Sequence, residues 1–146
     1  MAFGSATATR EVIKLPGGGS IEGVRITLSG TSLTTSSTQA ITWASVSGAE
    51  WLAYESVLYL RDFAVAVTAG SATTSSPTLG TSASPTGLGV IASQTVAQGA
   101  AGRDVTLMRS PVSFAPGSAI YFIPALDAGS DNAVSLSLLI TREWGP

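Results

Sequence analysis

Ala133-Val134-Ser135-Leu136-Ser137-Leu138-Leu139-Ile140-Thr141-Arg142-Glu143-Trp144 is the stretch on which the fold turns. Val134, Leu136, Leu138 and Ile140 recur at every second position, with Ser135, Ser137, Leu139 and Thr141 between them. A period of two puts the two sets on opposite faces of an extended chain, whereas a helix would scatter the apolar set around its axis. The spacing predicts a closing strand, the longest of the chain, with one face turned to a core.

The same alternation recurs upstream. In Val24-Arg25-Ile26-Thr27-Leu28-Ser29 the apolar residues share one face, and Gly30-Thr31 ends the run. Phe63, Val65 and Val67 share one side of a strand whose other side is alanine, in a segment that begins near Leu58. Further strands are expected over 11–15, stopped by Pro16-Gly17-Gly18-Gly19, over 38–46 with Ile41 and Trp43 inward, and over 119–123. Shorter apolar runs at 77–81, 88–92 and 104–108 suit brief strands, while 69–76, 94–102, 113–118 and 127–132 read as loops or turns. Ser47-Gly48-Ala49-Glu50 has the form of a capping box, and Trp51, Tyr54, Glu55 and Leu58 follow at helical spacing. Aromatic and β-branched residues crowd the second half of that window, so a short helical turn or wide bend near 48–52 and a strand from about Tyr54 are expected. Eight to ten short strands punctuated by Gly, Pro and Ser predict an all-β chain, an antiparallel two-sheet sandwich of jelly-roll type.

The 146 residues suffice for one domain with one core. The organisation expected is an extended N-terminal arm with its Gly-rich turn over 1–20, followed by a single β-sandwich domain over 21–146. The first ten residues are small and polar, of the kind that frays unless docked. Phe3, Arg10 and Lys14 are the side chains best equipped to anchor such an arm on a neighbouring subunit; the alternative is an arm laid along its own sheet edge.

Histidine and cysteine are absent, and Lys14 and Asn132 are each the sole residue of their kind. Nucleophile–histidine triads, thiolate chemistry, Cys/His zinc sites and imidazole acid–base steps each need a group this chain lacks. No enzyme activity, catalytic residue, cofactor or metal is therefore expected. Charged residues make up 11% of the chain, against about 25% in typical soluble proteins. The surface must be Ser, Thr, Gly and Ala, which is easily desolvated and suits packing against partners. A net charge of −2 offers no clustered basic face for nucleic acid. The first residues carry no basic and apolar leader pattern, and the apolar windows 51–60 and 63–69 are split by Arg61-Asp62, so neither secretion nor a membrane span is expected.

Four constellations could still carry chemistry or recognition. Glu50 and Glu55 could pair as glycosidase carboxylates, although capping and solvation explain them better. Asp127, Asp131 and Asn132 could supply oxygen ligands to calcium, although polar hairpin residues are the commoner reading. Gly17-Gly18-Gly19-Ser20 lacks the lysine of a phosphate-binding loop and reads as a turn. Trp43, Trp51 and Trp144 with Tyr54, Tyr59 and Tyr121 could form a sugar-stacking platform, although aromatics of a sandwich more often pack in its core or edges. Trp51 and Trp144 join Phe3, Arg10 and Lys14 as candidate partner-contact residues.

From Leu58 onward the chain resembles the β-sandwich virion proteins of tailed bacteriophages, most of all head decoration (cement) proteins and related fibre or spike modules. The matching features are the strand from Leu58-Tyr59-Leu60 to Val67, the Ser/Thr loop after it, and Thr78-Leu79-Gly80-Thr81 with Pro85-Thr86-Gly87-Leu88. Phe114-Ala115-Pro116-Gly117-Ser118-Ala119-Ile120-Tyr121-Phe122 and the strand from Val134 to Trp144 complete them, a little over half the chain. The resemblance implies a structural virion protein, assembled in the host cytoplasm and placed on the capsid surface. It would be a homo-oligomer, a trimer by preference, that contacts the major capsid protein and bridges neighbouring capsid subunits. On that reading the arm and the loop 71–84 are the contact elements. A tail or fibre receptor-binding module and a carbohydrate-binding domain are the alternatives.

Overall fold

The computed structural model describes residues 2–4, 6–14, 17–43, 46–55, 57–80, 96–103, 107, 111–115 and 119–142. Its strands are β1 (Ala2–Phe3), β2 (Thr7–Lys14), β3 (Ser20–Leu33), β4 (Gln39–Ile41), β5 (Leu58–Ala69), β6 (Thr74–Ser75), β7 (Thr78–Gly80), β8 (Val96–Ala97), β9 (Ala101–Arg103), β10 (Val112–Phe114), β11 (Ile120–Ile123) and β12 (Asn132–Arg142). A 3-10 helix at Glu50–Tyr54 lies between β4 and β5. The chain is all-β, and every strand pairing described is antiparallel.

The large sheet runs β3-β12-β5-β10, with β1 and β2 end to end along the outer edge of β3, and β9 and β10 end to end along β5. The second sheet is β4-β11-β7. Apart from β6 and β8, which pair with each other as a separate ribbon, the strands from β3 onward alternate between the two: β3 lies in the first, β4 in the second, β5 in the first, β7 in the second, β9 and β10 in the first, β11 in the second and β12 in the first. The first long strand thereby lies against the last.

Alternation decides which faces meet. The rows Ala8–Ile26–Leu138–Phe63 and Leu28–Leu136–Val65 cross the large sheet on its inner side. Phe63 meets Phe122 of β11 edge to face, with centroids 6.2 Å apart, and Phe122 in turn meets Phe3 with centroids 6.0 Å apart. Ile41, Trp43, Leu52, Leu79 and Ile120 close the core from the other side, all buried. Each such side chain contributes about 1.5–3 kcal/mol on leaving water.

Several boundaries differ from those the sequence suggests. The longest strand is β3, 14 residues, and not β12, 11 residues. The strand expected over 38–46 shrinks to Gln39–Ile41, because Trp43 and Val46 turn into the core along tight backbone turns. The helix after Gly48 is a 3-10 turn whose N-cap is Ala49; Ser47 makes no cap, and Glu50 accepts from the Gly48 N–H at 2.9 Å. β5 starts at Leu58 rather than Tyr54 and runs through Arg61-Asp62 without a break. Leu139 faces Asp62 while Ile140 faces Leu60, so Arg61 is one residue too many on its strand. This bulge resets the period, which is why Leu60 and Phe63, three apart, both point into the core.

Within 94–102 and 113–118 the described residues form strands where a loop and a turn are expected, while 94–95 and 116–118 lie outside the described residues. Val96–Ala97 and Ala101–Arg103 are strands joined by a tight turn, and Val112–Phe114 pairs with Leu58–Leu60. The expected strand over 88–92 lies outside the described residues, and so does all of 104–108 except Leu107, which is buried. Residues 71–84 do not form one contact loop: β6 and β7 occupy much of the segment, and 81–84 are outside the described residues.

The segment expected as an extended arm is a correction of a different kind. Ala2–Phe3 pairs with Gly30–Thr31, and Thr7–Lys14 pairs over its whole length with Ser20–Thr27. A strand that finds its hydrogen-bond ladder on its own sheet has no need of a neighbour to hold it. This is the sheet-edge alternative.

Candidate contact surfaces

With the core face of the large sheet consumed, its other face decides what the molecule can touch. Three rows cross it. Thr7, Thr27, Ser137, Ala64 and Arg103 stand in one continuous register; Ser29, Ser135, Ala66 and Ala101 in the next; Thr9, Arg25, Leu139 and Asp62 in the third. The first two rows are hydroxyls and methyls almost throughout. Because these side chains are short, they leave a shallow groove of about 410 Å³ between β2 and β9, floored by Ala64, Ala66, Ser135 and Ser137. Thr7 and Thr27 share a hydroxyl hydrogen bond of 2.6 Å across its rim.

The third row closes the groove with charge. Asp62, 2% exposed, accepts from Arg103 Nε at 2.8 Å and Nη2 at 2.9 Å and from Arg25 Nη1 at 2.9 Å. Arg25 also donates to Glu11 at 2.5 Å and to the Ser137 hydroxyl at 2.9 Å. Burial pushes the Asp62 carboxyl up, but hydrogen bonds and charge from Arg103 and Arg25 outweigh it and hold the group below the usual carboxylate range. Two arginines and two carboxylates neutralise one another, so the wall is rigid rather than attractive. Beside it Arg61, displaced by the bulge, donates to Thr141 at 2.9 Å and lies 6.0 Å over the Tyr59 ring.

The acidic hairpin forms a clamp. Asp127 accepts from the Thr73 and Thr74 N–H groups and the Thr73 hydroxyl at 2.7–3.2 Å, and Asp131 accepts from the Ser71 N–H and hydroxyl at 2.9 and 3.0 Å. The Thr73 hydroxyl and the Thr74 N–H are foremost in drawing the Asp127 carboxyl down to about 2. Asn132, fully buried, accepts from the Ala72 N–H and donates to the Leu33 and Ala128 carbonyls. The oxygens that the sequence offers as calcium ligands are engaged by backbone donors. Glu50 is occupied with Gly48 and Glu55 caps the 3-10 helix, and the two share no hydrogen bond.

The predicted contact residues fall into three groups. Phe3 is partly buried against Phe122, and Trp51 packs on the core with its indole nitrogen buried, so both serve their own chain. Arg10 and Lys14 are exposed on β2, Arg10 within 3.1 Å of Glu22. Trp144 lies outside the described residues. Trp43 is buried against Phe114, the half-buried Tyr59 lies under Arg61 and Tyr121 is half-buried, so among the described residues of the set Tyr54, 89% exposed, is the fully solvent-facing aromatic. Sequence reasoning missed the outer groove, since a serine opposite an alanine looks like any solvated strand until register sets Ser135–Ala66 beside Ser137–Ala64. It also missed Val12, 71% exposed between Arg10 and Lys14. No protein-family model matches the chain, and no curated protein matches it in sequence.

Proposed function

We propose that this chain is a structural virion protein that binds the outer surface of a phage capsid and stabilises it by bridging neighbouring capsid subunits. The observation that carries this reading is the outer face of the large sheet, a broad uncharged surface of Ser, Thr and Ala beside charges that are paired internally. Short side chains lose little rotamer freedom when covered, and hydroxyls exchange water for partner groups at small cost. Such a surface suits many copies held in a fixed array, where effective concentration multiplies modest contacts. The strand order also supports it: alternation between β3-β12-β5-β10 and β4-β11-β7 is compatible with a jelly roll, an architecture found among viral capsid domains.

Cryo-electron microscopy of the native particle tests the reading. Density over the capsid lattice, bridging at least two capsid subunits through the outer face, is the expected result. Density restricted to a tail tip would overturn it in favour of receptor binding, which Tyr54, exposed beside Trp51 on the 3-10 helix, would then serve.

A further inference from the structure

We infer that the free edge of β2 is a docking site for an extended, acidic segment of a partner chain, which adds to the large sheet as a further antiparallel or parallel strand. β2 pairs with β3 along one side only, and no described strand lines its other side over eight residues. Alternate backbone N–H and C=O groups of an edge strand point away from the sheet and are satisfied by whatever strand is laid there.

Charge selects the occupant. Arg10, Val12 and Lys14 hold the core-side parity of β2, opposite Val24, Glu22 and Ser20. The second sheet does not reach them: Arg10 and Val12 are 73% and 71% exposed. Arg142 shares that side through its register with Leu58, so the side carries three cations against Glu22, which pairs with Arg10 at 3.1 Å, in a protein whose net charge is −2. A second copy of β2 is a poor occupant. In the two registers that pair seven of its residues while keeping the core faces together, self-pairing sets Arg10 opposite Arg10 or Glu11 opposite Glu11. A strand carrying acidic, apolar and acidic residues at alternate positions meets Arg10, Val12 and Lys14 with complementary groups in either direction. The inference does not depend on the partner being a capsid subunit.

The test uses the intact chain, labelled with ¹⁵N, and the palindromic peptide Thr-Glu-Thr-Val-Thr-Glu-Thr, with Thr-Lys-Thr-Val-Thr-Lys-Thr as its control. The acidic peptide is expected to shift the amides of Thr7–Lys14 and to bind about tenfold more tightly than the basic one, with the difference shrinking as salt is raised. An R10E/K14E variant, altered only at exposed side chains and checked for an unchanged spectrum elsewhere, is expected to invert the preference. Equal binding of the two peptides, shifts centred on another edge such as Ala101–Arg103, no shifts, or an unaltered preference in the variant would each overturn the inference.

Discussion

Asn132 shows what a single side chain can decide. Its amide orientation follows from its partners: the Ala72 N–H can only donate, and the Leu33 and Ala128 carbonyls can only accept. One residue therefore ties β3, the β5–β6 connection and the β11–β12 hairpin together. Asn132→Asp keeps the acceptor but turns an oxygen toward two carbonyls, that of Leu33 buried and that of Ala128 part-buried, and is expected to cost about 3 kcal/mol in urea denaturation. A loss below about 1 kcal/mol would show that the tie is dispensable. Asp62 works in the same way on the opposite face. Removing it leaves Arg25 and Arg103 together without their shared counter-charge, so Asp62→Ala is expected to cost about 3 kcal/mol, at the low end for a buried pair because Arg103 is half exposed. Its folded pKa is depressed, so its stabilisation is present above the unfolded carboxylate range near 4 and fades as pH falls through the folded value. The wild-type minus D62A stability difference should accordingly narrow on acidification, and a difference constant from pH 7 to pH 2 would contradict the assignment.

At the scale of elements, the hairpins are set by close approach. A Cβ on Gly102 would overlap the Val96 Cγ2, and valine has few rotamers in which to retreat. Gly102→Ala is expected to destabilise by about 1–3 kcal/mol, and adding Val96→Ala should recover part of the loss. Strict additivity of the two in thermal melts would show that β8 does not press on β9. The hairpin clamp makes a second prediction. Asp127, drawn down to about 2, holds Thr73 and Thr74 more firmly when ionised. That support is complete above pH 4 and is lost progressively toward pH 2. An Asp127→Asn/Asp131→Asn double variant should therefore melt lower than wild type at pH 6 and converge with it near pH 2. Parallel melting curves across that range would disprove the clamp.

At the scale of the whole molecule, topology governs kinetics. The Arg25–Ser137 hydrogen bond joins residues 112 apart, and the central pairing of the large sheet, β3 with β12, cannot form until nearly the whole chain has been made and gathered. Non-local sheets of this kind refold in milliseconds to seconds, which stopped-flow fluorescence of the buried Trp43 would follow. Refolding in microseconds would mean that the large sheet assembles from local hairpins.

The parts legible in the sequence are those where neighbours along the chain settle the matter. Val134 to Ile140, Val24 to Leu28 and Phe63 to Val67 alternate, and a period of two has one consequence for which face meets the core; the all-β class follows from their number. Ile41 and Trp43 are buried as their setting in an apolar run implies. The lack of histidine and cysteine bounds the chemistry in the same local way. What only the tertiary structure decided depends on residues far apart. The Arg61 bulge is defined by the partner strand, which holds one residue fewer. The short strands 96–97 and 101–103 carry too few residues for a period and exist because β6 and β5 offer ladders to them. The fate of residues 2–14 as sheet edge, the outer groove and the exposed flank of β2 all follow from register, since alternation says that a side chain points outward while only pairing says what stands beside it.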